Sequence, residues 1–358
     1  MSNHEDIALM AHLMRRAGFG SNPEELEALA EQGYENTVEQ LVNPPHDLPR
    51  ADQHLLYRFL PGTETGGPNP VPGAANWLYQ MVNTQRPLEE KMSLFWHHVF
   101  ATGNSKVDNL NHLNIQIQMF RDHGLGNYRD LLLRVAQNPA MIFWLDNNDN
   151  HKRAPNENWG RELLELFSLG VGNYTEKDVF ECARAFTGWT LGAKIPRNPH
   201  GRYSWYYEYR PEEHDFGVKT FLGHTGNFNG EDIIDIIVQQ PACPNFVARH
   251  LYNFFVADEP QVPAWSIESP GDPEAIKQMA TTFVDSGFEI KPVLQEMFNS
   301  DFFKESMYQK VKSPAEVVVG TFRLTGDLQG PDPRLIKLGQ ESAYMGQSLL
   351  DPPSVEGW

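Results

Sequence analysis

Residues 88–120 have the sequence LEEKMSLFWHHVFATGNSKVDNLNHLNIQIQMF, and this stretch decides the fold class. Its apolar side chains recur every three or four positions, which is the spacing of one face of an α-helix. The positions are Leu88, Met92, Phe95 and Val99, followed by Leu110, Leu113, Ile117 and Phe120. The same spacing extends over residues 77–169, and we therefore predict a helical core there.

Helical spacing also occurs on both sides of this core. We predict helices over residues 7–16, 233–238, 245–256, 274–286, 290–299 and 314–324. Residues 61–73, PGTETGGPNPVPG, have no period and predict a surface loop. Together these patterns predict a mostly α fold, as one large multi-helical domain over residues 1–358. The apolar ending on Trp358 predicts that the chain is truncated.

Residues 200–224 depart from the helical pattern. Tyr203, Trp205, Tyr207 and Tyr209 alternate with other residues in a run of high β propensity. A polar Pro-Glu-Glu turn separates them from a second short run, residues 218–222. We therefore predict a small β-hairpin insertion at about 200–224, in which these two runs pair.

The composition excludes several classes of protein. Lys and Arg number 29 against 47 Asp and Glu, and the formal net charge of −18 repels the phosphates of nucleic acid. No apolar run reaches the roughly 18 residues of a membrane span, and the N-terminus has no signal-peptide pattern. We therefore expect a cytoplasmic protein that binds no nucleic acid. Cys182 and Cys243 lie outside any Cys/His ligand spacing, which predicts core packing for both.

A predicted helix over residues 157–169 carries the densest set of chemical groups. Arg161, Glu162, Glu165 and Ser168 share one side of it at i, i+3 and i+4 spacing. Two carboxylates three positions apart could hold a metal, position a water or divide their pKa values for acid–base work. The alternative is a solvated helix face with an Arg161–Glu165 ion pair. A capping box of Thr175 with Asp178 predicts a further helix over 176–186.

Two other segments carry candidate groups. His97 and His98 are adjacent, so on a helix they point about 100° apart and at most one of them serves a given site. A histidine on an aromatic helix is more often a core residue than a ligand. His214, Asp215 and Lys219 follow in the turn of the predicted hairpin, where they offer a base and a cation or simply solvate a loop. No dinucleotide, P-loop, nucleophile-elbow or zincin motif occurs.

Several motifs together resemble the bacterial "domain of unknown function 1800" family over nearly the whole chain. They are Arg15-Arg16-Ala17-Gly18-Phe19-Gly20, Arg86-Pro87-Leu88 with Phe95-Trp96-His97, Pro155-Asn156-Glu157-Asn158 with Arg161-Glu162-Leu163 and Glu165-Leu166, Ala185-Phe186-Thr187-Gly188-Trp189, His214-Asp215 with Gly217 and Lys219, and Pro352-Pro353 with Gly357-Trp358. The family commonly has a second histidine two places after the first, where this chain has Val99. That difference weakens a site with two histidine ligands for a metal.

The resemblance implies no particular reaction. Relatives continue past the final Gly-Trp, which implies that the family's C-terminal segment is missing here. Many relatives are exported. Their genes often neighbour those of the "domain of unknown function 1501" family, which looks sulfatase-like, so the resemblance implies a protein of that family as a partner.

We formulate two hypotheses from these residues. The first is an enzyme, a hydrolase with acid–base or metal-assisted chemistry. Its catalytic residues would be His97, Glu162, Glu165, His214 and Asp215, and its substrate-binding residues Arg161, Lys219, Asn156 and Trp96. A divalent metal would bind among His97, Glu162, Glu165 and His214. The rival hypothesis is a non-catalytic binding or scaffold protein that contacts its genetically linked partner through the aromatic hairpin.

Overall fold

The computed structural model describes residues 4–60, 69–194 and 204–358, and within these ranges the chain is mostly helical. The helices are α1 (His4–Arg16), α2 (Pro23–Gln32), α3 (Tyr34–Val42), α4 (Gln53–Phe59), α5 (Val71–Asn83), α6 (Pro87–Val99), α7 (Asn104–Val107), α8 (Leu110–His123), α9 (Tyr128–Ala136), α10 (Pro139–Trp144), α11 (Asn158–Glu165), α12 (Glu176–Ala185), α13 (Gly230–Val238), α14 (Ala242–Phe255), α15 (Pro273–Asp285), α16 (Ile290–Asn299), α17 (Asp301–Lys304), α18 (Pro314–Thr325) and α19 (Arg334–Tyr344). The strands are β1 (Trp189–Lys194), β2 (Ser204–Tyr209), β3 (Lys219–Phe221) and β4 (His224–Gly226). The predicted fold class is confirmed.

Helix α6 lies in the middle of the core. Pro87 occupies its first turn, where a missing N–H costs nothing, and Leu88, Met92 and Phe95 are fully buried along it. Trp96 stacks on Phe100 with ring centroids 5.3 Å apart. Almost every side chain of α6 is buried, as expected of a helix that is enclosed on all sides. Both cysteines are also buried and free, so the core packing predicted for them is confirmed.

The hairpin prediction was wrong in its pairing. Strand β2 pairs antiparallel with β1, which precedes it, and Leu191 lies opposite Tyr207. Strand β3 pairs with β4. The segment between β2 and β3 is bound to the end of α12, so β3 packs against α12 instead of folding back on β2. Tyr203, the first residue of the predicted strand, lies outside the described residues.

Two boundaries also differ from the predictions. Residues 61–68 of the predicted loop lie outside the described ranges, but residues 71–73 begin α5, because proline suits a first helical turn. Helix α11 ends at Glu165, four residues before the predicted end. Beyond it the N–H groups of Phe167 and Leu169 donate to carbonyls five residues back, a wider turn that stops the helix. In the described ranges, no helix has the length and apolarity to cross a bilayer.

Candidate active site

Two adjoining cavities meet at the C-terminal end of α6. The larger has a volume of about 350 Å³ and the smaller about 20 Å³, enough for one water molecule. Both are lined by His98, Asn253 and Gln261. We call the two together the His98 cleft. Its further polar lining comprises Asp258, Glu259, Lys310, Lys312, Ser313, Glu316 and Gln347 in the larger cavity and His250 and Glu356 in the smaller one.

The C-terminal segment fixes one wall of this cleft against His98. Gly357 adopts a positive φ of 86°. A Cβ atom at this position would lie only 2.7 Å from both the Nδ1 and the carbonyl oxygen of His98. Glycine is therefore required for this close approach, which places the neighbouring Glu356 in the smaller cavity and Trp358 in the larger one.

The cleft contains two neutral imidazoles. Burial lowers the pKa of His98 to about 4, with a further contribution from Lys310. Burial also lowers the pKa of His250 to about 3, assisted by His98 and Arg249. His250 is held between the rings of Phe246 and Trp265, and its Nε2 is buried without a hydrogen-bond partner in the part of the chain that the structure describes. Both rings stay uncharged at neutral pH, so each can donate one hydrogen bond and accept another.

Glu162 lines neither cavity, but it brings a carboxyl group with an unusual pKa close enough to interact with the charge of Glu356 in the smaller one. It lies one turn before Leu166, which lines the smaller cavity. Burial raises its pKa to about 7, and the charges of Glu165 and Glu356 add to this against the opposing effect of Arg161. A carboxyl group with this pKa exchanges protons readily at neutral pH, as acid–base catalysis requires.

The other charged residues of α11 have partners of their own. The Tyr174 hydroxyl donates to the Glu165 carboxylate at 2.9 Å. The Arg161 guanidinium pairs with Glu176 at 2.7 Å and with Glu157 at 3.4 Å. The Arg161–Glu165 ion pair predicted by the alternative interpretation is therefore not formed, because the start of α12 brings Glu176 to Arg161.

His97 and His98 point apart, as their adjacency predicts. His97 is fully buried between the rings of Trp77 and Trp358, with centroid distances of 5.4 and 5.3 Å. Among the described residues, neither of its ring nitrogens has a hydrogen-bond partner, and burial lowers its pKa to about 3. The neighbouring Trp96 donates its indole N–H to the Gly124 carbonyl at 2.7 Å.

His214 and Asp215 lie between β2 and β3, and Lys219 begins β3, beside the end of α12. His214 Nδ1 lies 2.8 Å from the carbonyl oxygen of Thr187, and Arg184 donates to Asp215 at 2.7 Å. The buried Lys219 ammonium donates to the carbonyls of Asp215 and Gly217, at 2.5 and 3.1 Å. These contacts hold the segment against the helix.

Asn156 contributes to the turn that precedes α11. Its side-chain amide donates to the Asp146 carbonyl at 3.3 Å, and its side-chain oxygen accepts from the Asn158 N–H at 3.0 Å. The side chain thus satisfies backbone groups at the start of the helix.

The predicted metal ligands are not assembled into one centre. In residues 4–60, 69–194 and 204–358, no three His, Cys, Asp or Glu side chains are grouped so that they could hold a metal ion. His97 lies on α6, Glu162 and Glu165 lie on α11, and His214 lies between β2 and β3. Glu165 and His214 each have the protein contacts described above. The metal site expected among these four residues stays a prediction.

His250, Asn253 and Glu356 have no local signal in the sequence. They reach the cleft from α14 and from the C-terminal segment, which are far from α6 along the chain. The position of His98 does have a signal in the sequence. Two adjacent histidines on a helix point about 100° apart, so one ring lies in the core and the other faces the cleft.

Comparison with known proteins gives one match. No curated protein and no solved structure has significant similarity to the chain. The model of a family described as "Protein of unknown function (DUF1800)" matches residues 12–358. The protein therefore belongs to the DUF1800 family.

Proposed function

We propose that this protein is a hydrolase that performs acid–base chemistry in the His98 cleft, with Glu162 as the general base. The observation that carries the proposal is the carboxyl pKa of about 7 at Glu162, beside a cavity that also contains Glu356 and two neutral imidazoles. A base whose pKa lies near the working pH is the most efficient one. The smaller cavity has room for the attacking water.

The reaction needs only groups of this chain and water. The Glu162 carboxylate takes a proton from the water as the water oxygen bonds to the substrate. The bond to the leaving group then breaks, and the protonated Glu162 returns its proton to that group. The neutral imidazole of His98 donates a hydrogen bond to the oxygen on which negative charge develops. Its low pKa suits this role better than that of a base, since it resists protonation.

Replacement of Glu162 by glutamine tests the proposal. Purified protein is screened with chromogenic carboxylate, phosphate, sulfate and glycosyl esters, and E162Q is compared on whichever substrate is hydrolysed. We expect a loss in kcat of at least about 100-fold, the usual contribution of a general base. E27Q, on the exposed face of α2, is the matched control and should keep full activity. Turnover by E162Q at the wild-type rate would contradict the proposal.

A second candidate function is the binding of a protein of the "domain of unknown function 1501" family. The exposed apolar side chains near β2 and β3 favour it, since Phe216 is 58% and Val218 66% exposed. Titration of purified partner against wild-type protein and F216A tests it, and equal affinity for the two would contradict this use of the surface.

A further inference from the structure

Around the larger cavity of the His98 cleft, positively charged side chains outnumber carboxylates. Two buried cations, Arg16 and Lys91, share a single carboxylate, that of Glu316, which lines the cleft. Lys91 is fully buried and Arg16 is 5% exposed. Among the described residues, Glu316 is the one carboxylate within ion-pair distance of either cation, and Asp258 acts on Arg16 without forming an ion pair with it. One positive charge of this cluster therefore lacks a carboxylate partner of its own, and a buried unbalanced charge favours an anion nearby.

The other carboxylates of the larger cavity are already paired. Asp258 pairs with Lys310 at 2.5 Å, and Glu259 pairs with Arg249 at 2.7 Å. Lys312 also lines the cavity, and in the described part of the chain it forms no ion pair. Lys312 contributes one positive charge, and the buried cluster of Arg16, Lys91 and Glu316 contributes one more. This end of the cleft therefore carries two positive charges that are not paired by any carboxylate of the described residues, although the formal net charge of the chain is −18.

The opposite end of the cleft is acidic. Glu356 lines the smaller cavity, and Glu162 lies close enough to Glu356 for the two charges to interact. The neutral His98 lies between the two ends, because it lines both cavities. An anionic group is therefore attracted to Lys312 and repelled from Glu162. These two interactions fix the direction in which a substrate that carries such a group enters the cleft.

We infer that the Lys312 end of the His98 cleft binds an oxyanion group of the substrate, such as a phosphate, at a distance from the bond that is cleaved. The inference rests on the proposed function and narrows its substrate to an anionic one. A cavity of about 350 Å³ is larger than an inorganic anion and leaves space for an organic group that extends toward His98. This is how a remote binding group positions a scissile bond.

Inorganic phosphate is the probe for this site. Calorimetric titration of the full chain with phosphate, at ionic strength held constant with chloride, should show saturable binding. K312Q should bind phosphate about tenfold more weakly, because one charge-assisted contact is lost. The matched control is K337Q, on an exposed part of α19, which should bind as the wild type does. Since Lys312 is exposed, K312Q should keep the wild-type Tm when phosphate is absent.

The outcomes separate this inference from the proposed function. Absence of phosphate binding by the wild type, or equal binding by K312Q and K337Q, would overturn the anion site and leave the role of Glu162 standing. E162Q should still bind phosphate at least as tightly as the wild type. Binding that depends on Lys312 together with undiminished turnover by E162Q would uphold the anion site and refute the general base.

Discussion

Glu162 is the residue on which the proposed chemistry depends, and its neighbour Glu165 sets part of its pKa. The Glu165 carboxylate is held by the Tyr174 hydroxyl, and its negative charge disfavours ionisation of Glu162. Glu165 therefore acts through Glu162 and is a positioning residue, although the sequence presents the two as equals.

Replacement of Glu165 by glutamine should shift the pH dependence of activity. A general base works only when it is ionised, so kcat/KM should rise with pH through the pKa of Glu162, near 7. Loss of the Glu165 charge lowers that pKa, and the rise in E165Q should occur at lower pH. The pH–rate profile of E165Q is compared with those of wild type and E27Q, and an unmoved or higher midpoint would contradict the assignment.

At the scale of elements, the C-terminal segment against α6 is the contact that builds the cleft. The sequence Pro-Pro-Ser-Val-Glu-Gly-Trp reaches His98 because Gly357 has no side chain and tolerates a positive φ. This contact supplies three residues of the lining, Val355, Glu356 and Trp358.

Comparison of two glycine variants should isolate this contact. Gly172 also has a positive φ, of 94°, but a Cβ there meets nothing within 4 Å. G172A should therefore cost only the backbone strain, about 1 kcal/mol of unfolding free energy. G357A adds a collision with His98 and should cost about 2 to 3 kcal/mol. Urea unfolding measures both, and equal costs would mean that the segment does not press on His98.

Elements with strong local signals were predictable, and those that depend on distant partners were not. Helix α16 has the predicted bounds, and the capping box of Thr175 and Asp178 starts α12 as expected. The pairing of β2 was wrong, because a run of alternating aromatic residues does not specify which strand lies beside it. The candidate site was predictable only in part for the same reason. Glu162 and the pair His97 and His98 belong to local sequence motifs, whereas His250 and Glu356 are brought close to them only by the fold.

At the scale of the whole molecule, buried neutral histidines make the fold sensitive to acid. The pKa values of His97, His98 and His250 are lowered to about 3, 4 and 3 by burial. In the unfolded chain each returns to its ordinary value of 6.5. Between these values only the unfolded state binds the proton, so the free energy of unfolding falls as the pH falls below about 6.5.

Removal of one of these histidines should reduce that sensitivity. Each contributes a loss of about 2 kcal/mol between pH 7 and pH 5, from 1.4 kcal/mol per pH unit below its unfolded pKa. H97F should therefore lose about 2 kcal/mol less than the wild type over this interval, whatever the packing cost of the phenylalanine. Urea unfolding at both pH values gives the difference. H46Q, at an exposed position, is the control and should behave as the wild type.

The most direct test of the account is the titration of the Glu162 carboxyl group by carbon NMR, with E162Q used to assign its signal. We expect a pKa of about 7 in the wild-type protein and a lower value in E165Q. A pKa at the ordinary glutamate value of 4.5 would leave the His98 cleft without a base suited to neutral pH, and would contradict the proposed chemistry.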